Sequence, residues 1–473
     1  MRHPRSVLIP FAVVLSTALT PSRSKALDFD RVVIDATFAG VDQVELADVN
    51  GDGRLDVVAV GAGTCAWYEN PSWKKRIVTT PKQTPRIVSS ATADVDCDGK
   101  SEIAIAYDFV KDDPSRGRLL LAKPGKEFDD PWKLEEVGKI GSIHRLRWFY
   151  RLRLAANSVG FIRILPGPNL KDAGEGSNAF TLLVAPLYGP SAKPPAFDQE
   201  SANLVTLNFG RREQPKPGLG GGGVGGLGGT VGFAGGLGGL GGGSVPINPT
   251  DSLYVDSVPS GVPHGFSIGT APGLNAIDLV DLEGYGVPVV LAASQLGVTR
   301  HSLAGIAGVP RYVKETLVSG AAGKAPLKGA SEVRGGRLKD GRRFLVTIEP
   351  GNNAEVAAYL SEPKGTKSRT LLKFGPRTSV DATLKEAEAL CVADVDGDGD
   401  DEVFAGSRAA GEGVVMYDFD GKTWSRSVVD ASIGAHDVSG GDLDKDGKPD
   451  VVAADGKADS ILWYKARAGS SPR

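Results

Sequence analysis

Two kinds of apolar pattern recur along the chain. The first is a short continuous apolar run that follows an acidic, glycine-bearing turn: Asp56–Gly61, Glu102–Ala106, Glu402–Gly406 and Asp450–Ala454. Runs of this length, rich in β-branched residues, are read as strands buried on both faces. The second pattern alternates polar and apolar positions and carries charge, as in Trp73–Val78 and Trp424–Val429. That pattern suits an outer strand, where Lys and Arg discourage pairing with another edge. Between the two lies a strand with an aromatic pair, Trp67-Tyr68 near one end of the chain and Trp463-Tyr464 near the other.

These parts belong to a repeat. The stretch Ala47–Gly61 returns at Ala93–Ala106, at Ala393–Gly406 and at Gly441–Ala454. Asp48 and Asp94 lie 46 residues apart, and Asp394 and Asp442 lie 48 apart, the length of a four-stranded propeller blade. Degraded copies fill the middle. Asp281–Val290 keeps the outline of the loop, Gly336–Val346 has a shortened one, and between Ile143 and Tyr188 only the strand Leu182–Tyr188 survives. Four intact and three degraded units predict an all-β, seven-bladed β-propeller. The last unit stops after Trp463-Tyr464, while Phe29–Ile34 reads as an outer strand with no blade before it. Pairing the two ends would close the ring and remove free sheet edges.

Composition narrows the setting. Gly (63) and Pro (30) suit a turn-rich all-β chain, and a net charge of −3 offers no basic excess to draw nucleic acid. Residues 1–26 read as a signal peptide. Arg2 and Arg5 precede an apolar run, Val7–Leu19, too short to span a bilayer, and Ser24-Lys25-Ala26 is a small-x-small cleavage site. The propeller would then occupy 27–473, in a secreted or extracytoplasmic protein with no transmembrane segment in the mature chain. Residues 211–250 form a glycine-rich insert, densest from Gly218 to Gly243, which cannot offset the entropy of ordering. Three cysteines, Cys65, Cys97 and Cys391, are too few and odd in number for a disulfide framework.

The loops carry the clearest chemistry. Each reads Asp-x-Asp/Asn-x-Asp-Gly-x-x-Asp/Glu. Positions 1, 3 and 5 aim oxygen atoms at one centre, Gly at 6 makes the turn, position 7 supplies a backbone carbonyl and position 9 a closing carboxylate. That donor set fits Ca2+, which takes six to eight hard oxygen ligands. The expected ligands are Asp48, Asn50, Asp52, Arg54 and Asp56; Asp94, Asp96, Asp98, Lys100 and Glu102; Asp394, Asp396, Asp398, Asp400 and Glu402; and Asp442, Asp444, Asp446, Lys448 and Asp450. About four Ca2+ sites follow. The pattern is not an EF-hand, since the acid stands at 9 rather than 12 and a strand follows at once. It resembles the FG-GAP and VCBS repeats, including the propeller of integrin α-subunits. That resemblance implies a calcium-stabilised extracellular module that binds a protein or a glycan.

A second candidate site concerns the histidines, of which there are five. His436 lies six residues before Asp442, and His144 six before Tyr150. His264 lies six before Thr270, while Asp42 and Glu388 hold the same place in other repeats. If this place faces the central channel, His144, His264 and His436 could form an open site for Zn2+ or another divalent metal. Polar residues lining a wet channel are the simpler alternative. The stretches Ser142–Trp148, Val184–Tyr188, Pro263–Phe266 and Thr347–Pro350 also resemble the propeller domain of aldos-2-ulose dehydratases. That likeness implies a metal-dependent sugar dehydratase or lyase, with the three histidines catalytic. An extracellular binding module and a channel enzyme are therefore the two functional expectations.

Overall fold

The computed structural model describes residues 27–151, 164–165, 179–193, 197, 200–211, 253–255, 265–284, 288–306, 309–351, 354–362 and 372–467. The proposed signal peptide and most of the glycine-rich insert lie outside these residues. No α-helix occurs among the described residues, and the strands form seven antiparallel sheets.

Blade 1 runs from the inside outward as Val41–Ala47, Asp56–Gly61, Thr64–Glu69 and Lys74–Thr79. Blades 2, 4, 5 and 6 repeat this order over Ser89–Lys139, Ala276–Val318, Glu332–Asp381 and Ala387–Asp430. Blade 7 takes three strands from the end of the chain, Ala435–Gly441, Asp450–Asp455 and Ser460–Ala466. Its fourth is Phe29–Asp35, which pairs antiparallel with Ser460–Ala466. The two ends of the chain thus close the ring as the sequence predicts. The innermost strands of successive blades contact one another all the way round, including blade 7 against blade 1.

Packing explains the continuous apolar runs. A propeller blade is covered on both faces by its neighbours, so both sets of alternating side chains are buried. In blade 1, Val58, Val60 and Trp67 pack with Ile103, Ile105 and Leu120 of blade 2. The intervening Val57, Ala59 and Tyr68 pack with Val452, Ala454 and Ile461 of blade 7. One such cluster occupies each of the seven junctions between blades.

Polar contacts lock the same junctions. Asp35, Asp381 and Asp430 each end an outer strand. Their Oδ1 atoms accept the amides of Thr37, Thr383 and Ser432 at 2.7–2.8 Å. Their Oδ2 atoms accept the hydroxyls of Tyr68, Tyr417 and Tyr464 in the next blade, at 2.6, 2.8 and 2.8 Å. Lys75, Arg426 and Arg31 complete these knots with ion pairs of 2.8–2.9 Å. The inner edge is satisfied differently, since an innermost strand has no partner on its channel side. Side chains of the preceding blade supply acceptors there: Gln43 to Ser90 N, Glu45 to Thr92 N, Asp278 to Gly335 N and Asp437 to Val44 N, at 2.9–3.2 Å.

Blade 3 departs most from the pattern. Its main strands are Ile143–Arg151, Ala179–Pro186, Ala202–Arg211 and Gly265–Ala271, with short additions at Ile164–Leu165 and Leu253–Val255. The strand that follows His264, Gly265–Ala271, pairs with Ala202–Arg211 at the outside of blade 3. It is not an inner strand beside the channel. The inner strand of blade 4 is Ala276–Val280, and the place six residues before Asp281 belongs to Asn275. A histidine register cannot reveal this, because an outer strand of Gly265–Ala271 composition reads like an inner one. His264 itself lies outside the described residues.

Candidate metal centres

The four acidic loops join the inner strand to the second strand in blades 6, 7, 1 and 2, which are consecutive around the ring. They form one arc on one face of the propeller. Each loop is built by the same three hydrogen bonds. The first Asp accepts the amide of the glycine at position 6: Asp48 from Gly53, Asp94 from Gly99, Asp394 from Gly399 and Asp442 from Gly447, at 2.9–3.2 Å. The fifth residue accepts the amide of the seventh: Asp52 from Arg54, Asp98 from Lys100, Asp398 from Asp400 and Asp446 from Lys448, at 2.7–2.9 Å. The ninth accepts the amide of the second: Asp56 from Val49, Glu102 from Val95, Glu402 from Val395 and Asp450 from Leu443, at 2.9–3.2 Å.

These bonds curl the loop and, in blades 2, 6 and 7, gather carboxylate oxygens at one centre, whereas Asp56 Oδ1 of blade 1 accepts Asn70 N at 2.8 Å. The structure brings together one donor atom each from Asp94, Asp96 and Glu102, from Asp394, Asp396 and Glu402, and from Asp442, Asp444 and Asp450, all within 4.8 Å in each group. The first loop has Asn50 at position 3. Buried oxygens without a partner are costly. Asp48 Oδ1 and Asp394 Oδ1 are both buried with no hydrogen-bond partner. An oxygen-only donor set with orphaned buried oxygens is what a hard cation such as Ca2+ requires.

The electrostatics agree. Burial, with Asp52 and Asp48 adding repulsion, pushes the Asp56 carboxyl up to about 7. Burial and Asp96 push Glu102 up to about 8. Burial and the Asp396 charge raise Glu402 to about 9, and burial with Asp444 and Asp446 raises Asp450 to about 6. A bound cation would reverse these penalties. Lysines partly stand in for one in two loops. Lys339 meets Asp398 and Asp400 at 2.8 and 2.7 Å, and Lys465 pairs with Asp444.

One requirement went unnoticed in the sequence. Position 4 also takes a left-handed backbone: Gly51 (φ 73), Cys97 (φ 60), Gly397 (φ 75) and Lys445 (φ 62). The glycines at 51 and 397 were the available signal. Cys97 is exposed, Cys65 and Cys391 are buried, and none of the three forms a disulfide.

In the degraded blades, arginine takes the place of the loop chemistry. Arg300, 2% exposed, reaches Glu283 of the blade 4 loop at 3.1 Å and also pairs with Glu315. Arg337, at the start of the blade 5 loop, lies 3.4 Å from Asp401 and 3.8 Å from Asp394 of blade 6. A cleft of about 400 Å³ opens there, lined by Arg337, Asp394, Asp401, Gly440 and Gly447.

The other expected site begins at the opposite ends of the inner strands. His436 Nδ1 lies 3.3 Å from Asp42 Oδ1, and Arg408 bridges Asp42 (3.3 Å) and Glu388 (2.6 Å). His144 faces elsewhere. Its Nδ1 meets the Asn275 carbonyl at 3.1 Å and its ring packs beside Phe109. Burial and the neighbouring Arg145 hold His144 well below the ordinary histidine range, so it is neutral. Among the described residues, the groups of three or more donors able to share a metal are the three acidic loops. His144 and His436 do not converge in such a group.

A model of FG-GAP-like repeats matches residues 48–105 and 394–453, the segments that carry loops 1 and 2 and loops 6 and 7. No curated protein matches the sequence. Solved structures of similar shape include the β-propeller domain of Cps50 (Swd1) from Myceliophteria thermophila, at 8% identity and TM-score 0.48, covering 93% of this chain and 100% of that one. The extracellular domain of a putative one-component system from B. thetaiotaomicron is 11% identical with TM-score 0.43, over 93% of this chain and 40% of that one. A lectin from Agrocybe aegerita that recognises non-reducing terminal N-acetylglucosamine is 12% identical with TM-score 0.40, over 93% and 86%. At such identities and scores these structures carry nothing about what this chain binds. The chain thus carries FG-GAP-like repeats in two places on a seven-bladed β-propeller that its first and last described strands close.

Proposed function

We propose that the protein is a calcium-stabilised binding module that works outside the cytoplasm and presents its loops to an extracellular protein or glycan. The observation that carries the calcium reading is the inward-facing oxygen set of the acidic loops, with Asp48 Oδ1 and Asp394 Oδ1 buried and unpartnered. The expected ligands are the carboxylates and Asn50, with the carbonyls of Arg54, Lys100, Asp400 and Lys448 completing each cage. FG-GAP repeats are typically extracellular, which agrees with the secretory reading of residues 1–26. No helix among the described residues is long and apolar enough to cross a membrane. The channel-enzyme reading has less support, since His144 bonds a backbone carbonyl instead of joining His436.

Elemental analysis after dialysis against calcium, with thermal unfolding in calcium and in chelator, tests this reading. Roughly one calcium per intact loop is expected, with a higher Tm in calcium. Calcium at a hundredfold excess over its Kd would add about 2.7 kcal/mol per site. Less than one calcium per chain and an unchanged Tm would overturn it.

A further inference from the structure

Two of the acidic loops carry a cation that belongs to the chain itself. The shortened loop after Glu332–Arg337 of blade 5 docks on the loop of blade 6 through its main chain. Arg337 N donates to Asp401 Oδ2 at 2.7 Å, Asp401 N to Arg337 O at 2.9 Å, and Lys339 N to Asp400 Oδ1 at 2.7 Å. These bonds place the Lys339 ammonium between Asp398 Oδ2, at 2.8 Å, and Asp400 Oδ2, at 2.7 Å. Asp398 Oδ1 accepts Asp400 N at 2.8 Å. Both oxygens of this expected calcium ligand are therefore engaged. A second cation stands behind the first, since Arg337 Nη2 lies 3.8 Å from Asp394 Oδ2.

Blade 7 repeats the arrangement by another route. Lys465 pairs with Asp444 Oδ2, and Asp444 is one of the three residues whose donors converge in that loop. The ring closure holds Lys465 in place, because it stands opposite Asp30 where Ser460–Ala466 pairs with Phe29–Asp35. A lysine near a loop need not do this. Lys100 of the blade 2 loop donates instead to the carbonyls of Gly125, at 3.2 Å, and Lys126. Both pairing lysines can also leave, since their side chains are 58% and 38% exposed. An ammonium neutralises a carboxylate but supplies one charge where calcium supplies two, and exposed pairs of this kind are weak.

Resting on the calcium reading above, we propose that Lys339 and Lys465 are resident counter-ions that set how tightly the loops of blades 6 and 7 bind calcium. The ion enters by exchange, taking Asp398 from one ammonium and Asp444 from the other. At low calcium the lysines keep the acids neutralised and the loops folded. At high calcium they are released to water. Binding in these two loops is thereby weakened enough to follow the calcium level around the protein.

The test is calorimetric titration of calcium into the chelator-stripped full chain, with Tm measured in calcium and in chelator. Lys339→Met and Lys465→Met are each expected to tighten one site by at least about threefold, as the displacement of exposed ion pairs allows. Each should lower Tm in chelator, where the acids lose their counter-ion, and lower it less in calcium. A lysine that only braced the fold would lower both equally. Lys339→Arg keeps the charge and should keep wild-type affinity within about twofold. The control is Lys422→Met, in the exposed turn between Val414–Phe419 and Trp424–Asp430, at the same end of blade 6 as the loop but outside it. It removes the same charge and should leave calcium affinity within about twofold. Unchanged or weaker calcium binding in either Lys→Met variant of the pairing lysines would overturn the proposal. So would an equal gain in Lys422→Met, or equal losses of Tm in calcium and in chelator. Wild-type protein that binds no calcium would overturn the calcium reading itself.

Discussion

Arg300 shows how a guanidinium can meet an acid that a degraded loop retains. Blade 4 keeps only Asp281 and Glu283 of the loop acids, and the Arg300 guanidinium sits against Glu283 in the interior. Breaking a buried ion pair from one side costs about 3–5 kcal/mol, because the remaining charge is stranded. Arg300→Met is therefore expected to lower stability by at least about 3 kcal/mol, by the same amount in calcium and in chelator. Urea unfolding under both conditions checks this. Cys97 makes the converse point. It holds a left-handed backbone, φ 60, where loops 1 and 6 have glycine. Such a conformation costs an L-residue about 1–2 kcal/mol. Cys97→Gly should raise stability by about 1 kcal/mol, less whatever glycine loses in the unfolded chain, and the same titration reads it out.

Among elements, the strand Phe29–Asp35 has the largest consequence. It supplies the fourth strand of blade 7 and carries Asp35, whose Oδ2 atom binds both Tyr68 and Lys75 of blade 1. Removing residues 27–36 would expose the edge of Ser460–Ala466 and cut one knot between blades. The expected result is loss of a single cooperative transition, together with self-association through the open edge. Calorimetry and light scattering of the shortened chain would show both. A milder change tests the knots alone. Tyr417→Phe removes one hydroxyl from Asp381, which keeps Thr383 and Arg426, so the cost should be about 1 kcal/mol.

For the whole molecule, two sets of carboxylates pull stability in opposite directions with pH. Against the cost of burial, hydrogen bonds from Lys75, Tyr68 and Thr37 hold Asp35 down to about 2, and Asp381 and Asp430 are also lowered. A folded-state value below the unfolded one favours the fold above about pH 4, and that gain is lost as pH falls. The loop carboxyls Asp56, Glu102, Glu402 and Asp450 are raised. In chelator, folding keeps protons that the unfolded chain has released, so their contribution falls as pH rises from about 4 toward 9. A cation bound in the proposed way would need the ionised forms and would remove that penalty. The gap in Tm between calcium and chelator should therefore widen from pH 5 to pH 8. A constant gap would mean that these carboxyls do not bind the ion.

Much of this was written locally. The loops, the buried runs and the paired ends are short-range patterns. A β-strand's side-chain period and a nine-residue loop need no distant partner to be recognised, so blade number and ring closure could be read from residues such as Asp48, Trp67 and Phe29. The Val-Ile-Asp-Ala-Thr stretch at Asp35 also recurs in variant form, as Ser-Val-Asp-Ala-Thr at Asp381 and Val-Val-Asp-Ala-Ser at Asp430. Its meaning was hidden because the tyrosine it binds sits in the next blade, 33 to 36 residues away. The channel was decided by the ring alone. Arg147, Arg334 and Asp437 stand far apart along the chain, and only seven strands packed side by side bring them into one ring. The same packing put the strand after His264 at the outside of blade 3 and gave its expected place to Asn275. Periodicity specifies which side of a strand is buried, whereas the order of strands in a sheet is set by contacts between residues remote in sequence.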